Sequence, residues 1–281
     1  DDNIIDGTTP STITIAIDDT NSDNDFDAVA DQTVSATTTD NDVAGFTVVQ
    51  SGGSTSVSES GTTDTFTIVL TAQPASNVVI AMSSSDTGEA TLSGTLTFTT
   101  GNWNTPQTVT VTGVTDNIID GTITSPITIA VDDANSDNDF DPVADQTVSA
   151  TTTDDDVAGF TVVESGGSTT VAETGTTDTF TIVLNAQPTS DVVVLAMSSD
   201  DTGEATVSGS LTFTNTNWNT PQTVTVTGVN DNIIDGTINS TLTLAIVDSI
   251  TANNFDSVAD QTVSVATTDD DVAGFTIAQS G

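Results

Sequence analysis

A chain that copies itself at an interval of more than a hundred residues folds as a series of similar bodies, because each copy repeats one pattern of buried and exposed positions. Phe46, Phe160 and Phe275 end the identical run DVAGF at spacings of 114 and 115 residues. TDTFTIVL fills 63–70 and 177–184, NTPQTVTVTG fills 104–113 and 219–228, and DNIIDGT fills 2–8, 116–122 and 231–237. Starting each unit at Ala-Gly-Phe gives complete repeats at 44–157 and 158–272, the last third of a unit at 1–43, and the first strand of another at 273–281. The part-repeats predict either a slice of a longer array or halves completed by neighbouring chains. The second repeat is one residue longer, VVVLAM at 192–197 against VVIAM at 78–82, which predicts a bulge inside a strand.

Within a unit, apolar residues alternate with Thr and Ser at period two, as in DTFTIVLT and QTVTVTGV, and no stretch has helical period. For 44–157 this predicts seven strands: A near 45–59 with a break at Gly52-Gly53, B 64–71, C 77–84, D 89–99, E 107–114, F 123–131 and G 146–153. Phe66, Ile68, Leu70, Leu96, Phe98, Val109, Val111, Ile127 and Ile129 supply one inward row. The expected fold class is all-β, as tandem seven-stranded immunoglobulin-like sandwiches arranged end to end. The matching row Ile13, Ile15 and Ile17 has no opposing sheet within 1–43. Trp103 and Trp218, in N-W-N-T turns, read as plugs at one end of each core.

Charge then decides what such sandwiches can do. The 281 residues carry 41 acidic groups and no Lys, Arg or His, a formal net charge of −41. Nucleic acid and anionic membrane surfaces are excluded as partners, since both need basic patches. No apolar run reaches the roughly 18–20 residues of a membrane helix. Hydroxyls are abundant, but no His or Lys base exists to activate one, and paired carboxylates recur identically without a cleft, so the chain is expected not to be an enzyme. Cysteine is absent, so disulfides are impossible.

Strand parity gathers these acids. If A runs upward, the AB, CD and EF loops and the end of G share one pole. That pole carries Glu59 and Asp64, Asp86 and Glu89, Asp116 and Asp120, and Asp154, Asp155 and Asp156. The next unit repeats the set with Glu173, Asp178, Asp201, Glu204, Asp231, Asp235, Asp269, Asp270 and Asp271. Two carboxylates about 4 Å apart repel by roughly 4 kcal/mol at an effective dielectric near 20. With no base to offset that, the pole must protonate or bind cations, and Ca²⁺, with six to eight oxygen ligands, suits a many-carboxylate cup. Solvated loop acids are the alternative. The FG loop DDANSDNDFDPVADQ (132–146) offers a second set, Asp137, Asp139 and Asp141, expected to approach Asp40 and Asp42 across a junction; it lacks the glycine and terminal Glu of an EF-hand. The third copy, 247–261, keeps only Asp256 and Asp260 of these acids after Asp248.

A Glu near the A-strand break, an Asp in the CD loop, D-N-x-x-D-G in the EF loop and a closing acidic run together resemble the Calx-beta domain and its bacterial tandem relatives. The resemblance implies calcium ligands at Glu59, Asp86, Asp116, Asp120, Asp154, Asp155 and Asp156 in the first complete repeat. In the second it implies Glu173, Asp201, Asp231, Asp235, Asp269, Asp270 and Asp271, and in the leading part-repeat Asp2, Asp6, Asp40 and Asp42. The chain departs from the family pattern at Asp120 and at Gly88-Glu89. The expected function is a structural, extracellular, bacterial tandem-repeat protein forming a calcium-stiffened rod, as fibre, sheath or adhesin stalk, with neighbouring copies of the repeat as partners. The alternative is an adhesin module that grips a glycan or a partner protein.

Overall fold

The computed structural model describes residues 2–189, 192–250 and 253–279. The chain divides into two compact units, Asp1–Thr115 with Thr122–Thr153, and Asp116–Gly121 with Asp154–Gly281. Each unit contains one β-sandwich, so the chain is an all-β tandem protein. The EF-loop segment 116–121 lies between two strands of the first sandwich but belongs to the second unit, because the Asn117 carbonyl accepts from the Gln187 N–H at 2.7 Å, Ile118 bridges to Gln187 and Ile119 packs against the second core.

The first unit opens with an antiparallel hairpin, β1 (Thr9–Ile15) and β2 (Gln32–Thr38). Its apolar row is uncovered: Ile13, Ile15 and Val34 are 53%, 57% and 50% exposed. The sandwich follows as β3 (Phe46–Gln50), β4 (Thr55–Ser58), β5 (Thr63–Leu70), β6 (Val78–Ser84), β7 (Ala90–Leu92), β8 (Leu96–Phe98), β9 (Gln107–Gly113), β10 (Ile123–Val131) and β11 (Gln146–Thr153). One sheet has the order β3-β5-β9-β7 and the other β4-β11-β10-β6-β8. Alternation does what it should: in β9, Val109 and Val111 are fully buried while Thr108 and Thr110 face outward. Phe66, Ile68, Phe98, Ile127 and Ile129 join them in the core, with Leu96 and Trp103 packed partly buried against it.

Two of the expected strands divide between the sheets, A at the break expected at Gly52-Gly53 and D, expected to be continuous, at a break of its own. Strand A breaks at Ser51–Gly53, where Gly52 and Gly53 take φ of 63° and 86°, a region that favours glycine. Before the break β3 pairs antiparallel with β5; after it β4 pairs parallel with β11. Strand D breaks at 93–95, so that β7 pairs with β9 and β8 with β6. Ser93 fixes that crossing, its N–H donating to the Thr110 carbonyl and its Oγ accepting from the Thr110 N–H. The breaks carry both strands from one sheet to the other and leave the Glu-bearing ends of A and D at the sandwich pole.

The second unit repeats the plan as β12 (Phe160–Glu164), β13 (Thr169–Ala172), β14 (Thr177–Leu184), β15 (Val193–Ser199), β16 (Ala205–Val207), β17 (Ser210–Phe213), β18 (Gln222–Gly228), β19 (Ile238–Ile246) and β20 (Gln261–Thr268). Its sheets run β12-β14-β18-β16 and β13-β20-β19-β15-β17. The extra residue makes no bulge in strand C. Val193 pairs with Phe213 and Leu195 with Leu211, as Val78 pairs with Phe98 and Ile80 with Leu96, so the two strands keep one register from Val193 onward and the added residue lies ahead of it. An added residue within the paired stretch would have flipped the buried row or needed a bulge to absorb it. Among the described residues no helix is long and apolar enough to cross a membrane.

Candidate metal centre

The second unit shows how the pole is built. Strand β13 runs parallel to β20, and the Glu173 N–H continues that ladder by donating to the Thr268 carbonyl at 3.1 Å. This pins Glu173 at the end of the sandwich, where it is fully buried. Glu204 precedes β16 and is 5% exposed; its carbonyl accepts from the Val229 N–H at 2.8 Å. Asp269 and Asp271 follow β20, half-buried, and Asp235 comes from the EF loop. Carboxylate oxygens of Glu173, Asp269 and Asp271 lie within 4.8 Å of one another, and so do those of Glu173, Glu204 and Asp235. Glu173 belongs to both triads.

Burial makes this arrangement costly without a counter-charge. Both Glu173 carboxylate oxygens, one of Glu204 and one of Asp271 are buried with no hydrogen-bond partner among the described residues. Burial, then the neighbouring Asp269, holds the Glu173 carboxyl above the usual range against the opposing pull of the nearby Asp270 N–H. Glu204 is raised by burial and by Asp235, and Asp271 by burial and by Asp269. Asp269 itself is lowered, because the N–H groups of Gly236, Asp271 and Asp235 point at its carboxylate. Two oxygens that share one calcium at 2.3–2.6 Å stand no more than about 5 Å apart, so both triads fit a hard divalent cation.

The remaining expected residues fall into two groups. Glu59 and Glu89, 1% and 5% exposed, hold the matching places at the end of β4 and before β7 in the first sandwich. Asp116, Asp120, Asp154, Asp155 and Asp156 lie in segments of the second unit. There Asp156 is raised by burial and then by Asp154, Asp155, Asp116 and Asp120. Asp155 and Asp270, the middle acids of their runs, face solvent. Among the described residues Asp86 and Asp201 join no triad, each closing a turn by accepting the N–H of Gly88 or Gly203. Asp116 and Asp231 likewise accept the N–H two residues on, from Ile118 and Ile233. Asp64 and Asp178 accept two backbone N–H groups each and are latches between β4 and β5 and between β13 and β14.

In the leading part-repeat, Asp40 accepts from the N–H groups of Asp6, Gly7 and Asp42, and it lines a small recess with Asp2, Asp6 and Asp42. The FG-loop acids do another task. Asp137, 7% exposed, accepts from the Ser76 N–H at 2.7 Å and the Asp139 N–H at 3.2 Å, capping a short 3-10 turn and tying it to the BC loop. Asp139 and Asp141 are exposed, and among the described residues none of the three joins a carboxylate triad. Asp137→Ala is therefore expected to cost about 1–2 kcal/mol of stability, from a lost cap and an orphaned amide, with calcium affinity unchanged. Parallel thermal melts and calcium titrations check this.

Glu89 and Glu204 are ligand candidates that the family pattern passes over in favour of Asp86 and Asp201. The signal was present: these are two of only five glutamates in an aspartate-dominated chain.

No family model and no curated protein matches the chain. Among solved structures, the S-layer protein SbsC domains 4 and 5 match at 14% identity and TM-score 0.32, covering 79% of this chain and 97% of that one. The apo-form Calx CBD1 domain matches at 15% and 0.29, covering 40% and 98%. CBD12 from CALX1.2 matches at 13% and 0.29, covering 70% and 79%. Likeness at that level carries no inference about a ligand, and the candidate metal centre rests on its own geometry.

Proposed function

We propose that this chain is part of a structural, extracellular bacterial protein built from tandem β-sandwiches, and that calcium held at the sandwich poles stiffens it. The observation that carries the reading is Glu173: a carboxylate fully buried, unpartnered and shared by two acidic triads, in a chain without one basic side chain. Only protons or metal cations can neutralise it. Near-identical repeats favour modular length over recognition of one ligand. Absent Lys and Arg leave trypsin-like proteases no cleavage site, which suits exposure outside a cell. The chain has no part in catalysis under this reading; its residues position carboxylates and do nothing to a substrate.

Thermal melts of the full chain with calcium, magnesium and excess chelator provide the test. Calcium at about 100 times its Kd stabilises by about 2.7 kcal/mol per site, and several degrees of Tm follow. Magnesium should do less, because it keeps more of its water and demands a stricter octahedron. Identical melts in all three conditions would reduce the poles to solvated acids.

A further inference from the structure

Strand D changes sheet midway along each sandwich, and the crossing leaves a groove walled by two open strand edges. In β6 the Val79 carbonyl accepts from the Asp132 N–H and the Ser85 N–H donates to the Pro126 carbonyl, so this phase of the strand serves β10. The alternate residues turn their N–H and carbonyl groups to the other side. There β8 pairs with Val78, Val79 and Ile80 and then leaves, so no strand of the described residues pairs along Met82 and Ser84. Across the gap β7 is also an edge: Glu89 and Ser93 bond to β9, which turns the backbone groups of Leu92 away from it.

The groove between these edges holds about 370 Å³ and is lined by Met82, Ser83, Ser84, Thr87, Thr91 and Leu92. The second sandwich repeats it in about 200 Å³, with Met197 and Ser199 on the edge that β17 leaves after Ala196 and Val207 opposite. Strand A makes a similar crossing at the other side of each sandwich, but a side chain spans that gap. Gln146 Nε2 donates to the Phe46 carbonyl at 2.7 Å, and Gln261 Nε2 does the same to Phe160. Among the described residues no hydrogen bond bridges the strand D groove in this way. Nor does the edge carry the usual defences, since 78–85 and 193–199 contain neither a charge nor a proline.

We propose that each groove takes an extended segment of another protein bearing Lys or Arg, added as a short strand along Met82–Ser84 and Met197–Ser199. Open N–H and carbonyl groups select a peptide backbone, which supplies both kinds of partner in register. Charge selects which peptide: the chain has 41 acids and no base, and exposed Asp86, or Asp200 and Asp201, follow the open edge. A second copy of this chain would bring only like charge, so the partner is a different, cationic protein. Half-buried Met82 and Leu92 offer contact to its apolar side chains. Because the groove recurs, a partner with several such segments gains by avidity. No groove residue joins a carboxylate triad, so the site does not depend on a bound ion.

The probe is a short peptide of alternating Val and Lys, titrated into the full chain in constant calcium at about 150 mM salt, which screens indiscriminate attraction to the acids. One peptide should bind per groove, and hydrogen exchange at the Met82, Ser84, Met197 and Ser199 amides should slow about tenfold. The same peptide N-methylated at every residue keeps its charge and loses its donors, and it should bind at least about tenfold more weakly. Ser84→Pro with Ser199→Pro removes one open donor from each edge and leaves the ladders to β10 and β19 intact; binding should weaken equally. The methylated peptide needs no variant and decides the matter if the proline chain fails to fold. Equal binding of the methylated peptide, or unchanged exchange at the four amides, would reduce the attraction to charge alone and overturn the proposal. So would a neutral Val and Thr peptide that binds as tightly, or a soluble glucan that slows those amides where the lysine peptide does not.

Discussion

Glu173→Gln is expected to raise the melting temperature of the calcium-free chain and to lower that of the calcium-loaded one. The substitution keeps the shape of the side chain and removes one charge from both triads of the second unit. Without metal, that charge is buried beside Asp269 and Asp235 with no positive charge to compensate it, so its loss relieves the native state. With metal, the same charge is a ligand, and affinity follows ligand charge. A fall of about 100-fold in affinity, at calcium 100 times the wild-type Kd, removes most of the roughly 2.7 kcal/mol that binding supplies. The two melts should therefore move in opposite directions by several degrees. Movement in the same direction would mean that Glu173 holds no ion.

The same buried acids set the sign of the pH response. A carboxyl whose folded pKa lies above its unfolded value binds protons more tightly in the native state, so stability falls as pH rises from the unfolded value to the folded one. Glu173, Glu204, Asp271 and Asp156 are raised. Chelated protein should gain stability as pH drops from neutral toward their folded values. Asp40, Asp64 and Asp269 are lowered, and their contribution is lost only as pH falls further, through folded values below the ordinary carboxylate range. In calcium the upper part of the curve should invert, because protons then displace the ion. Melts at fixed ionic strength between neutral and mildly acidic pH separate the two regimes.

Period-two alternation made the strands legible in the sequence, and β5, β6, β9, β10 and β11 begin and end within one residue of expectation. What alternation does not encode is which sheet a strand joins. β7 and β8 read as one strand, and the break expected between β3 and β4 at Gly52-Gly53 gave no sign of a change of sheet, because a break of two or three residues preserves the buried face while handing the chain to the opposite sheet. At the pole, parity brought the AB, CD and EF loops and the end of β20 together, but it could not rank acids within a loop. Asp201 and Glu204 stand three residues apart; backbone N–H geometry claims the first for a turn and leaves the second to point inward. Asp137 shows the same competition, where an acidic run resembling an ion loop turns out to serve backbone amides. Nor did any pattern show that DNIIDG reaches beyond its own repeat, because Ile5 and Ile119 fill cores whose remaining strands begin only after them.

Gly228→Ala should unfold the second sandwich at markedly lower temperature and weaken its ion site together. A Cβ at Gly228 would stand 2.2 Å from the Ala172 carbonyl oxygen and 2.8 Å from its carbon, both backbone atoms that no rotamer can move. The first sandwich has the same approach at Gly113, 2.1 Å from the Ser58 oxygen, so the close contact belongs to the fold. Relief requires β13 and β18 to separate, and Glu173 is the next residue after Ala172. Overpacking of this kind costs typically 1–3 kcal/mol, and more where only backbone can yield. Gly175→Ala is the control: its φ of 82° strains an alanine, but nothing lies within 4 Å of the new Cβ, so about 1 kcal/mol is expected and calcium affinity should hold. If both variants lost the same stability and bound calcium equally, the ends of β13 and β18 would not be what holds Glu173 in place. If Gly228→Ala alone lost affinity, the glycine that closes a strand would also be what lets a buried carboxylate reach its ion.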